Sequence, residues 1–117
     1  MCGIAGILDF ENKPSYDGRK ALSRILDSLK HRGPDDRGEE VIDGAKGIRL
    51  WLGHHRLSII DLSLFGHQPM TNEDNTVWVA FNGEIYNHSA RRKELSRTGH
   101  HFRTRCDTEV IVHEWEQ

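Results

Sequence analysis

Leu22, Ile25, Leu26 and Leu29 fall at i, i+3, i+4 and i+7, the spacing that lines apolar side chains along one face of a helix. A helix is expected from about Tyr16 to Lys30, with Ser15 as its N-cap. Such a stripe must be buried against another element, and the rest of the chain supplies short ones. Gly3–Asp9 is an apolar run ending at charge and reads as a buried strand. Glu40–Asp43 and Ile48–Gly53 read as strands joined by the hairpin signal Gly44-Ala45-Lys46-Gly47. Thr76–Phe81, rich in β-branched and aromatic residues, reads as a central strand, and His100–Arg105 as a short one. Ser89–Arg97 reads as helix. A last helix opens at Asp107 or Thr108 with Ile111 and Trp115 on one face. Glu11–Ser15, His31–Gly38 and Ser63–Asn75, which carry the prolines and several glycines, read as loops. One long stripe among short strands implies an α+β domain. No Gly, Asn or Pro stop signal follows Trp115, so the sequence predicts an element cut short at Gln117.

With 117 residues, the chain suits one domain rather than two. The net charge of -2, from 16 basic and 18 acidic side chains spread along the chain, gives no electrostatic argument for nucleic acid or a membrane surface. Cys2 and Cys106 are too few for a disulfide framework, so a reducing cytoplasm is the expected compartment. Gly3–Leu8 lacks a basic region before it and is too short for a signal peptide, and no segment is apolar enough to span a bilayer.

Several short stretches carry possible chemistry. Cys2 is preceded only by Met1, and a small second residue permits removal of that methionine. Cys2 would then hold a thiol and a free α-amine on one residue, a nucleophile with its own base. The plainer alternative is a cysteine buried incidentally at a strand start. Asn82-Gly83 is a hairpin signal of type I′, or else an oxyanion hole in which an amide and a Gly N–H converge. Arg56 is a solvated loop residue or a bidentate holder of a carboxylate. Asp107 is a helix cap or an acceptor for a substrate ammonium, the cap being the simpler role. Among the 8 histidines, His54-His55 and His100-His101 are adjacent pairs whose side chains diverge on a strand. No HExxH or CxxC pattern occurs, so no metal site is expected. There is no GxxxxGK[ST] phosphate loop either.

The order of these stretches is more telling than any one of them. Met1-Cys2-Gly3-Ile4-Ala5-Gly6, His31-Arg32-Gly33-Pro34-Asp35-Asp36 and Gly53-His54-His55-Arg56-Leu57-Ser58-Ile59-Ile60-Asp61 are followed by Gly66-His67-Gln68-Pro69-Met70, Phe81-Asn82-Gly83-Glu84-Ile85-Tyr86-Asn87 and Cys106-Asp107-Thr108-Glu109-Val110-Ile111. In this order the chain resembles the N-terminal glutaminase part of class II, N-terminal-nucleophile glutamine amidotransferases. It most resembles that of the glutamine-hydrolysing asparagine synthetases, on the strength of His31–Asp36 and Arg56–Asp61.

The resemblance implies an Ntn-hydrolase-like αββα sandwich of mainly antiparallel sheets, here incomplete at the C-terminus. It implies that Cys2 attacks the side-chain amide of L-glutamine and that Asn82 and Gly83 hold the oxyanion. Arg56 would bind the substrate α-carboxylate and Asp107 its α-ammonium, with Glu84 in the same pocket and Leu57, Ile59 and Ile60 flanking the substrate. The ammonia would pass to an ATP-dependent amidation of aspartate. The chain itself would need no cofactor; ATP and Mg²⁺ would serve a synthetase domain absent here, supplied by further sequence or by a separate chain. Incomplete sheet edges would favour a homodimer. The alternatives are a fragment amidating another carboxylate, and a non-catalytic module that binds glutamine or a partner.

Overall fold

Asp17, just before the first helix, accepts a hydrogen bond from Lys20 N at 3.0 Å and so caps α1, Gly18–Leu29. The expected cap, Ser15, lies outside the residues that this computed structural model describes, which are 1–11, 16–59 and 62–117. The helix starts two residues later than predicted because Asp17, with its short carboxylate, captures the free N–H. It tightens into a 3₁₀ turn at Lys30–Arg32.

The stripe of α1 covers one face of an antiparallel sheet. The sheet is built from β1 (Gly3–Asp9), β2 (Asp36–Asp43) and β3 (Arg49–Arg56) in the order β1-β3-β2. The register sets Ala5 opposite Gly53 and Ile7 opposite Trp51, with Val41 also opposite Trp51. Leu22, Leu26, Ala5 and Trp51 form the core there, with Ile7, Leu29 and Val41 packed against it. A Cβ on Gly53 would lie 2.6 Å from a methyl of Leu26; the absent side chain lets the helix seat on the central strand. Leu26 is fully buried, so Leu26→Ala is expected to cost about 2–5 kcal/mol, measurable as a lower denaturant midpoint with unchanged slope.

Several expectations are corrected. Ile25 belongs to the stripe by spacing but is 41% exposed, and the core under α1 is made with Leu22 and Leu26 instead. Gly3–Asp9 is a strand buried on one face only. Its burial alternates, with Ile4, Gly6 and Leu8 facing outward, as an edge strand under a single helix must. β2 begins at Asp36, inside the predicted loop 31–38, because β3 offers Arg56 as a partner for Asp36. The hairpin at residues 44–47 is as expected, with left-handed Lys46 at φ 58° and Gly47 at φ 77°.

The second half of the chain is less regular. The predicted loop 63–75 contains a 3₁₀ turn at Leu64–Gly66 and β4, Met70–Thr71. β4 pairs with β5, Trp78–Val79, which is all that the predicted central strand 76–81 forms among the described residues. The reason is local. Asn72 Oδ1 accepts from both Thr76 N and Val77 N, and Gln68 Oε1 accepts from Phe81 N at 2.7 Å. Side chains have taken donors that a longer ladder would use.

α2, His88–Arg97, packs on α3, Glu109–Glu116. Between them, residues 100–105 form no strand. Glu109 accepts from Arg103 N at 2.7 Å and Thr104 N at 2.9 Å, and Arg92 donates to Thr104 O and Cys106 O. The buried side of α3 carries Glu109, Val110, Val112 and His113, not Ile111 and Trp115; Trp115 is 79% exposed. Among the described residues no helix is long and apolar enough to cross a membrane. The architecture is a mixed α and β domain with antiparallel sheets.

Candidate active site

β1 is paired with β3 so that Gly3 opposes His55. The residue before Gly3 therefore lies beside the end of β3, where the chain turns into Leu57. The Leu57 N–H donates to Cys2 Sγ at 3.3 Å, and the Sγ lies 3.8 Å from Leu57 O, within reach of a weak S–H bond. Arg32 Nε donates to Cys2 O at 3.2 Å. Cys2 N donates to Asn82 Oδ1 at 3.1 Å, across 80 positions of sequence. Cys2 is thus held on its nitrogen, its carbonyl and its sulfur by three different segments. It is partly buried, while Met1 ahead of it is 75% exposed.

The 81–85 segment that brings Asn82 to Cys2 is fixed from outside. His54 Nε2 meets Phe81 O at 3.1 Å. A carbonyl only accepts, so the imidazole carries its proton on Nε2. Gln68 accepts from Phe81 N and donates to Thr108 Oγ1 at 3.2 Å. Asp107 Oδ2 accepts from Ile85 N at 2.8 Å. Neither Asn82 nor Gly83 has a positive φ, so the pair is not the type I′ turn that its dipeptide permits. A Cβ on Gly83 would lie 2.5 Å from the Phe81 ring, so this position accepts only glycine without a shift.

His54 is fully buried. Burial holds its pKa below the usual imidazole value, and nearby Arg56 and His67 act in the same direction; the Phe81 carbonyl and Asp36 oppose them. A base depressed in the folded state binds fewer protons there than when unfolded. Its contribution is full above about pH 6.5 and is lost as pH falls through the lower, folded value. We expect the denaturant midpoint to fall on acidification below that pH, and to fall less steeply in His54→Gln, read by urea titrations across pH.

These segments close around a cavity of about 410 Å³, within the range of roughly 300–1,000 Å³ usual for small-molecule sites. Cys2, Arg56, Leu57, Asn82, Gly83 and Asp107 all line it. Ile59 and Glu84 do so from exposed positions. The remaining predicted site residue, Ile60, lies outside the described residues. Arg56 is 5% exposed, with Nη1 donating to Ser63 O at 3.0 Å. Its guanidinium packs on Gly66, where any Cβ would collide with it. Asp107 is not the helix cap. Thr108 precedes α3 without a side-chain cap bond, and the Asp107 carboxylate turns to Ile85 and into the cavity wall.

A family model described as a glutamine amidotransferase domain matches residues 1–117. The chain belongs to this family. Among curated proteins it is 44% identical to a probable glutamine-hydrolyzing asparagine synthetase of Dictyostelium discoideum, over 99% of the chain and 20% of that protein. It is 38% identical to glutamine-hydrolyzing asparagine synthetase 3 of Bacillus subtilis, over 100% of the chain and 19% of the relative. A putative asparagine synthetase of Methanocaldococcus jannaschii is likewise 38% identical, over 23% of its length. The chain spans about a fifth of the length of the curated relatives it matches.

For a glutamine amidotransferase domain, the cavity holds more than its motifs disclosed. Gln68, Phe81, Cys106 and Thr108 also line it. The sequence pointed to Gln68 only through the stretch 66–70, without a role, and to Cys106 and Thr108 only as neighbours of Asp107. Burial pushes the Cys106 thiol pKa up, against the pull of its bonds with Thr108. Of the two thiols at the cavity, Cys106 is therefore kept protonated, and Cys2 is the one whose backbone nitrogen is held by Asn82 at the cavity. His54 and Arg32 act from behind the wall, and only their contacts identify them.

Proposed function

We propose that this chain is the N-terminal part of a glutaminase domain that releases ammonia from L-glutamine for a glutamine-dependent synthetase of the asparagine synthetase type. The observation that carries this reading is the meeting of Cys2, Asn82, Gly83, Arg56 and Asp107 at one cavity. An arginine and an aspartate lining one cavity suit the two charges of an α-amino acid. The exposure of Met1 leaves the terminus within reach of an aminopeptidase, and its loss would both free the Cys2 amine and enlarge the cavity mouth.

In this mechanism Cys2 Sγ attacks the side-chain carbonyl carbon of glutamine, and the α-amine takes the thiol proton. The carbonyl oxygen becomes an oxyanion. Asn82 commits its Oδ1 to the Cys2 nitrogen, which leaves its NH₂ group to donate elsewhere. That group and the Gly83 N–H hold the oxyanion. Collapse expels the amide nitrogen, which leaves as ammonia with the proton from the Cys2 amine. Water, deprotonated by the same amine, then cleaves the glutamyl thioester to glutamate and regenerates the thiol.

Relatives carrying glutamine-hydrolyzing asparagine synthetase names at 38–44% identity support aspartate as the acceptor. ATP and Mg²⁺ would serve that amidation in a synthetase part; no step through them involves the residues described here. The proposed architecture is the αββα sandwich. α1 covers one face of the β1-β3-β2 sheet, and the other face presents Ile4 and Leu8, 41% and 51% exposed, where a second sheet would pack. The proposed compartment is the cytoplasm.

The test is mass spectrometry of the N-terminus together with a glutaminase assay on the same preparation. Loss of Met1 with glutamate release supports the reading. Folded protein with Cys2 at its terminus and no turnover, alone or joined to its synthetase part, overturns it.

A further inference from the structure

Outside the cavity, on α3 and the segment that precedes it, a second group of side chains converges. His100 Nδ1 lies 3.2 Å from His113 Nδ1. Glu116 Oε2 lies 3.2 Å from His113 Nδ1 and 3.7 Å from His100 Nδ1. These atoms form a triangle. Two ligands of a tetrahedral Zn²⁺, each about 2.0–2.1 Å from the ion, sit about 3.3 Å apart. The triangle therefore has the size of one face of such a coordination sphere. We propose that His100, His113 and Glu116 bind one divalent cation of the zinc class, with the fourth position open to solvent.

Proton bookkeeping favours an ion over a hydrogen-bonded cluster. In a neutral imidazole, Nδ1 carries either a proton or an in-plane lone pair. If His113 Nδ1 holds a lone pair, it faces the carboxylate of Glu116 with nothing between them. If it holds the proton, it cannot also accept from His100, and the one proton must serve both neighbours. A cation at the centre uses a lone pair from each atom at once. Two imidazoles and one carboxylate are a donor set suited to zinc and the later first-row metals.

The surroundings orient the donors. Asn72 Nδ2 donates to Glu116 Oε1 at 2.7 Å, turning Oε2 toward the histidines. On the other side of His113, Nε2 stands 3.8 Å from Glu109 Oε1 and 4.0 Å from Glu73 Oε1, carboxylates that offset the charge of a dication. His113 is buried, His100 half-buried and Glu116 at the surface, so the site is anchored at its base and open at its rim. The sequence concealed it: His100 pairs with a residue of the next helix, not with its neighbour His101. An ion here would tie the 98–105 segment to α3, whose N-terminal end follows Asp107. The inference does not depend on the glutaminase reading.

The experiment uses the whole chain without an affinity tag, stripped of metal and titrated with Co²⁺, whose visible d–d bands report tetrahedral coordination. The expected result is an intense visible absorption saturating at one ion per chain, without thiolate charge transfer. Binding should weaken about tenfold or more in both His100→Gln and Glu116→Gln, and should be unchanged in His101→Gln, with each variant shown to be folded by circular dichroism. Absence of saturable absorption overturns the proposal, as does weakening of less than about tenfold in either ligand variant. Thiolate charge transfer at saturation also overturns it, by placing the ion on Cys2 or Cys106.

Discussion

Cys2→Ala is expected to abolish glutamate release from glutamine, with kcat falling by at least about 10⁴-fold; removal of the nucleophile from a comparable hydrolase costs on the order of 10⁶. No neighbouring group can take over. Cys106, the other thiol at the cavity, is kept protonated by burial and already donates toward Thr108 and Asp107. The fold should survive, because Cys2 is only partly buried and lies outside β1. Glutamine binding should survive too, since Arg56 and Asp107 are untouched. The measurement is single-turnover glutamate release with glutamine affinity measured in parallel. Turnover within about tenfold of the parent would remove Cys2 from the mechanism.

Asn82→Ala is expected to lower kcat by about 10²–10³-fold, or about 2.7–4 kcal/mol of barrier, with a smaller change in KM. Two functions of Asn82 are separable. Its Oδ1 holds the Cys2 nitrogen at 3.1 Å, and its NH₂ group is the proposed oxyanion donor. Asn82→Asp keeps an acceptor for the nitrogen but removes the donor and sets a negative charge beside the developing oxyanion. Loss in Asn82→Asp should therefore equal or exceed that in Asn82→Ala. If Asn82→Asp keeps near-parent kcat, Asn82 only positions the nucleophile, and the oxyanion role belongs elsewhere.

The parts of the fold that were legible in the sequence are those fixed by local periodicity. The stripe of α1 was readable because a helix buries every third or fourth residue whatever it packs on. The β2–β3 hairpin was readable because Gly44 to Gly47 carry their turn chemistry in the backbone. Of the regions predicted as strands, 76–81 forms only Trp78–Val79 and 100–105 forms none, although both have strand-like composition. Their backbone groups, however, are claimed by the side chains of Asn72, Gln68, Glu109 and Arg92, 4 to 13 positions away, and strand propensity takes no account of such side-chain–backbone bonds. Ile111 and Trp115 share a helical face by spacing, but which face of α3 is buried depends on where α2 and β4 lie.

The site divides in the same way. The residue types and their order were present in the sequence: a cysteine after Met1, an Asn-Gly pair, an arginine after two histidines, an aspartate before the last helix. Those determined the family and the class of chemistry, because a nucleophile, an oxyanion donor and two charge partners are functional groups whose identity does not depend on the fold. Only the tertiary structure decided that Asn82 turns toward Cys2 instead of forming a hairpin, that Asp107 faces the cavity instead of capping α3, and that His54 and Gln68 hold the segment between them. It also brought His100 to His113 and Glu116. Hydrogen bonds and charges act over a few ångströms of space, and residues 13 or 80 positions apart reach that distance only once the chain has folded.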